Sequence, residues 1–136
     1  MRIGELAAQA GYSVRTIRFY EQSGLLPTPD RTSGGYRDYD QDAVTRLRFV
    51  RSAQALGLSL AEIAEVLRIR DHQGPPCTYV AELLETHIGA LDDRIKELAA
   101  LREELRARRP RGAEPEPTRC LPDQVCYLIE DDVSGT

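Results

Sequence analysis

A mostly α-helical chain is expected here, a helix-turn-helix with a basic wing followed by one long helix that needs a partner. Three observations predict it. Residues 1–25 read as two short helices broken at Gly11, residues 27–39 read as a cationic hairpin, and residues 78–109 contain no proline and an apolar repeat of helical period.

In the first helix Ile3, Leu6 and Ala7 share one face, and Ala10-Gly11-Tyr12 ends it. Ser13 is placed to cap a second helix through Val14, Ile17, Arg18 and Glu21 that stops at Gly24, because a serine oxygen can accept from a free amide of the first turn. Two short helices around a glycine turn form the helix-turn-helix pattern. In the stretch from Pro27 to Tyr39, Gly34-Gly35 suits a tight turn between two short extended arms that carry Arg31, Tyr36 and Arg37. A cationic hairpin behind a helix-turn-helix reads as a wing that grips phosphates.

Asp40 should cap a third helix with Val44, Leu47 and Val50 inward and Arg46, Arg48 and Arg51 spread around it, ended by Gly57. Ser59-Leu60-Ala61-Glu62 is a capping-box sequence that opens a fourth helix over Ile63, Val66 and Leu67, stopped by His72-Gln73-Gly74-Pro75-Pro76. From about Thr78 to Arg109, Leu84, Ile88, Leu91, Ile95, Leu98, Arg102 and Leu105 follow at alternating spacings of four and three. That is a heptad seam. At about 1.5 Å per residue the helix exceeds about 40 Å, too long to bury within so small a domain, so a homodimer is expected. His87 falls beside the seam and reads as interhelical packing. Residues 110–119 are proline-rich and read as an extended linker. Beyond it lies a short loop from Cys120 to Cys126, with Asp123 as the expected cap of a last turn through Val125, Leu128 and Ile129, and a solvated tail Glu130-Asp131-Asp132.

The formal charge of −4 argues against a polyanionic partner, but its distribution argues for one. Residues 1–51 hold eight arginines against six acids, whereas residues 52–136 hold ten basic and sixteen acidic groups. A basic front half is what a DNA-contacting end requires. Lys96 is the single lysine, and arginine favours bidentate contact with phosphates and guanine edges. With 41% hydrophobic and 29% charged residues the chain is globular rather than disordered. It has no apolar run of about 18 residues and no signal-peptide pattern, so a cytoplasmic location is expected. No Ser/His/Asp constellation, phosphate loop or paired acid points to an enzyme. Three cysteines, Cys77, Cys120 and Cys126, are an odd number for a disulfide framework and read as thiols or metal ligands.

Five blocks in order, Ile3-Gly4-Glu5-Leu6-Ala7, Val14 to Glu21 (VRTIRFYE), Gly24-Leu25, Gly35-Tyr36-Arg37-Asp38-Tyr39 and Leu56 to Ile63 (LGLSLAEI), resemble the MerR family of transcription regulators. The likeness runs from Met1 to about Leu105, with the cysteine loop a looser match. It implies a winged helix-turn-helix DNA-binding domain over residues 1–75 and an antiparallel coiled-coil dimerisation helix over 76–109. Residues 110–136 would be linker and cysteine-containing metal-binding loop. By the same likeness Arg15, Thr16, Arg18 and Tyr20 match recognition-helix contacts to double-stranded DNA, and Arg31, Tyr36 and Arg37 match wing contacts. Gln54 stands where some metal-sensing relatives place an arginine, which weakens a second-wing phosphate contact. Phe19 reads as packing rather than recognition. The mechanism implied is activation by distortion: an overlong promoter spacer is bent and untwisted so that RNA polymerase engages both elements, with phosphate contacts offsetting a deformation cost of a few kcal/mol.

The resemblance also implies how the thiols meet. In an antiparallel dimer the far end of one long helix meets the start of the other, so Cys77 of one chain would join Cys120 and Cys126 of the partner subunit. Relatives that sense monovalent copper, silver or gold place serine at the position of Cys77, and sensors of divalent ions place cysteine. A divalent thiophilic ion (Hg, Pb, Cd or Zn) is therefore expected, three sulfurs alone suiting Hg(II) or Pb(II) and Zn(II) requiring a fourth ligand such as His72, Asp123 or water. The departures are the tight loop between Cys120 and Cys126 and the proline-rich approach to it. A thiol-disulfide switch at the same three cysteines stays open as the alternative, and a small apolar effector has little room to bind.

Overall fold

The computed structural model describes residues 1–110, 112 and 114–132. It divides into two compact units, Met1–Glu85 and Thr86–Thr136.

In the first unit α1 (Ile3–Ala10) and α2 (Val14–Gln22) form the helix-turn-helix. Gly11 has φ of 76°, the left-handed value that lets its N–H return to the Ala7 carbonyl and end α1. The Ser13 side chain accepts from the Thr16 N–H, as its position predicts. The hairpin after α2 is smaller than two strands. It is a single antiparallel bridge, Arg31 to Arg37, closed by the Thr32 N–H on the Tyr36 carbonyl at 2.6 Å and the Asp38 N–H on the Asp30 carbonyl at 2.8 Å. Gly35, with φ of 85°, makes its turn. The Tyr39 N–H then donates to the Met1 carbonyl, which ties the base of the wing to the start of α1.

Asp40 caps α3 (Gln41–Ala55), and Ser59 with Glu62 forms the expected capping box on α4 (Leu60–His72). Leu6, Ile17, Leu26, Val44, Leu47, Val50, Ile63 and Val66 are fully buried, so one apolar core joins α1 to α4. Burial of each such side chain stabilises the fold by about 1.5–3 kcal/mol.

Arg46 corrects the expectation that the α3 arginines lie around the helix surface. It is only 4% exposed. Its guanidinium donates to the Leu25 carbonyl at 3.0 Å and to both Asp71 oxygens at 2.8 and 2.9 Å, so it locks the end of α2 to α4 from inside.

α5 (Cys77–Ala107) starts one residue earlier and ends two earlier than the repeat predicts. Its seam residues are bare: Ile88 is 49% exposed, Leu91 62% and Ile95 61%. Leu101, also exposed, lies beside the seam at the turn where Arg102 occupies it.

In the second unit the end of α5 is followed by a 3-10 turn at Pro117–Arg119 and α6 (Tyr127–Glu130). The linker is thus not extended throughout. Its residues 111 and 113 lie outside the described residues. Asp123 does not cap α6, whose N-cap Cys126 makes no side-chain capping bond. Glu130 takes that part instead, accepting from the Val125 and Cys126 N–H groups at 2.7 Å each. The acidic tail is accordingly not simply solvated. Asp131 accepts from Gln124 at 2.9 Å, and Arg108 donates to the carbonyls of Leu128, Ile129 and Asp131. Among the described residues no helix is long and apolar enough to cross a membrane.

Candidate nucleic-acid interface and cysteine sites

A cleft of about 830 Å³ lies between the start of α1, one face of α2 and the wing. Arg2, Arg18, Arg31 and Arg37 line it with Tyr36, against the acids Glu5 and Glu21. A concave, arginine-rich surface beside a capped helix suits a phosphate backbone.

The expected contact residues are not equivalent in it. Arg15 and Arg18 are exposed on α2. Thr16 is half-buried, its hydroxyl 2.8 Å from that of Ser13, so it shares the cap of the helix. Tyr20 is placed otherwise: 5% exposed, its ring edge-on to Tyr12 at 5.6 Å, it offers only a hydroxyl, 3.4 Å from the Gln54 side-chain oxygen. Gln54 therefore supports Tyr20. Phe19, expected to pack, is instead 52% exposed on α2. A helix of two turns cannot turn all its apolar residues to the core, and Ile17 and Tyr20 already occupy the buried side.

On the wing, Arg31 donates to the Gly35 carbonyl at 2.8 Å and so stiffens the turn. Tyr36 is 55% exposed. Arg37 pairs with Glu21 at 2.8 Å, and the Tyr39 hydroxyl donates to the same carboxylate. The Glu21 side chain is only 5% exposed, so a buried acid on α2 is neutralised from the wing. Burial first, and then the Glu21 carboxylate that accepts its proton, raise the Tyr39 phenol above its ordinary value, with Arg37 opposing. Tyr12 is also raised, chiefly by burial and by Tyr20, against Arg51, whose guanidinium lies 4.7 Å over its ring.

Two residues of the site were not singled out from the sequence. Arg2 sits over the Tyr36 ring at 4.0 Å, and Arg51 donates to the Gly11 carbonyl at the turn between the two helices. The basic character of residues 1–51 pointed at this surface but could not say which arginines reach it.

The thiols are free among the described residues. Cys77, exposed, is the first residue of α5 in the first unit; Cys120 and Cys126, both half-buried, flank the loop of the second. The Cys120 sulfur accepts from the Tyr127 N–H at 3.4 Å. Glu130 fixes the backbone at Cys126, as described above. His72 and Asp123 are exposed. Among the described residues no three His, Cys, Asp or Glu side chains gather as a metal site within the chain. By donor chemistry, three thiols suit a soft or thiophilic ion rather than a hard one.

Comparison with known proteins defines the class: residues 1–69 match the model of the MerR HTH family regulatory proteins, and residues 44–108 match the MerR DNA-binding model. The chain belongs to the MerR family; it is a DNA-binding transcription regulator and not an enzyme. It is 46% identical over 101 residues to a mercuric resistance operon regulatory protein of Serratia marcescens, covering 74% of this chain and 69% of that protein. Its fold is similar to that of the transcription regulator PbrR691 from Ralstonia metallidurans, solved in complex with lead(II), with a TM-score of 0.70 and 40% identity over 88% of this chain and 94% of that one. It also resembles a dual-function MerR from Bacillus megaterium solved with mercury(II), with a TM-score of 0.59 and 30% identity, covering 93% and 92%.

Proposed function

We propose that the protein is a metal-responsive transcription activator that works as an antiparallel homodimer. A divalent thiophilic ion, Hg, Pb, Cd or Zn, would be held by Cys77 of one chain with Cys120 and Cys126 of the partner subunit. The reading is carried by α5: a long helix with a bare apolar seam, one thiol at its first residue and two thiols beyond its last. Relatives named for mercuric resistance and one solved with lead(II) support the choice of ion class.

When bound, such an ion supplies a soft Lewis acid to which three thiolates are ligands. The rest is work of the chain. Glu130 and the Tyr127 N–H hold the loop that carries Cys126 and Cys120. The seam from Leu84 to Leu105 pairs the two copies. Arg15 and Arg18 on α2, with the wing, grip the operator, and both halves of the dimer together bend and untwist the promoter so that RNA polymerase engages it.

Titration of the reduced protein with Zn, Cd, Pb or Hg should produce thiolate-to-metal absorption together with promoter activation in vitro, and Cys77→Ser should lose both. Activation that follows oxidation of the thiols with no metal present would overturn the metal reading and favour a redox switch.

A further inference from the structure

The arginines of the cleft divide by what already occupies them. Arg37 is neutralised by Glu21, and Arg31 keeps its charge but commits one N–H to the Gly35 carbonyl. Arg2 is different. It is exposed, and the contact its side chain makes among the described residues is with the Tyr36 ring, 4.0 Å from the guanidinium carbon.

That contact leaves its charge available. An aromatic face holds a guanidinium by the quadrupole of the ring, and that attraction takes none of its N–H donors as a hydrogen bond to an acceptor atom. Tyr36 is itself held: its N–H donates to the Thr32 hydroxyl at 3.3 Å, and its ring lies close to Gly34 at the tip of the wing. The stack therefore joins the residue before α1 to the wing tip, on the cleft that Arg18 also lines. An unpaired, pre-oriented guanidinium beside the recognition helix calls for a planar or tetrahedral oxyanion, and on this surface that is a DNA backbone phosphate.

We propose that Arg2 and Tyr36 form a phosphate clamp at the mouth of the cleft, with Tyr36 orienting Arg2 and Arg2 supplying the charge. The proposal rests on the DNA-binding role of this surface. It predicts a sequence-independent contact, because a phosphate carries no base identity.

The test measures affinity against salt concentration for two DNA duplexes, one of mixed sequence and one selected from a random pool by the wild-type protein. Arg2→Ala should weaken both by about tenfold, as expected for a lost charge-assisted hydrogen bond. It should also lower the slope of log affinity on log salt by about 0.9 for each protomer bound. Tyr36→Leu should weaken both duplexes by about threefold while the slope holds, since the charge remains. Arg2 lies outside the core, so the variant should melt with the wild type; if it does not, Arg2→Gln, which keeps most of the stem, provides the same readings. Wild-type affinity and slope in the folded Arg2 variant would overturn the clamp alone, and so would a loss confined to the selected duplex with the slope unchanged. A wild-type protein that enriches no duplex from the pool and does not bind the mixed-sequence one would overturn the DNA-binding surface and the clamp with it.

Discussion

Glu21 is an acid on the helix proposed to face a polyanion, and its surroundings explain why it is tolerated there. Its side chain is 5% exposed, paired with Arg37 and bonded by the Tyr39 hydroxyl, so its charge is cancelled before DNA arrives. Arg37, which the family pattern offers as a wing contact, is thereby also the residue that positions the wing against α2. Arg37→Ala should strand a buried carboxylate and lower stability by about 1–3 kcal/mol, visible as a fall in the melting temperature. Arg31→Ala, which removes only a bond to a turn carbonyl, should melt close to the wild type. Equal melting of the two would contradict the positioning role. Partnership across sixteen residues of chain cannot be read from local pattern, which is why Arg37 and Arg31 look alike in the sequence. Arg46 was hidden for the same reason: an arginine among arginines on α3 gives no sign that Leu25 and Asp71 enclose it.

At the scale of the element, what was legible depended on chemistry within a few residues. Ser13, Asp40 and the Ser59–Glu62 box each cap the helix they precede, because a cap needs only an oxygen three residues from a free amide. The wing was read as two arms and is a single bridge, since a turn as tight as Gly34-Gly35 leaves few residues to pair. At the last turn Asp123 had the right residue type, but Glu130 reaches back from the other side. α5 was legible from its repeat, whose meaning lies in its exposure: Leu91 at 62% and Ile95 at 61% form the middle of a stripe that the described residues leave exposed. Leu91→Asp places a charge in that stripe and should convert the proposed dimer to monomer by sedimentation, with the DNA-binding unit still folded. A variant that remains dimeric would remove the seam from the interface.

For the whole molecule, the division of charge and the division of thiols run along the same chain. The basic front half forms the cleft, and the acidic rear half holds the seam and the loop of Cys120 and Cys126. Cys77 stands at the head of α5, within the DNA-binding unit. A site that draws one sulfur from this unit and two from the partner subunit's loop would link effector occupancy to the orientation of the DNA-binding surfaces, which is what distortion of an operator requires. The family and the class of effector could be approached from the sequence because motif spacing survives without coordinates. The sharing of sulfurs between chains was approached only through the family likeness and stands here as a proposal, because it depends on how two copies meet.

Complementation in mixed dimers tests that sharing most directly. One chain carries Cys77→Ser, and the other carries Cys120→Ser with Cys126→Ser. If the sulfurs are donated across the interface, neither homodimer holds a complete three-thiolate site, and the mixed dimer regains one, read as one equivalent of Hg(II)- or Pb(II)-dependent thiolate absorption per dimer. A mixed dimer that binds no more metal than either parent would contradict the shared site.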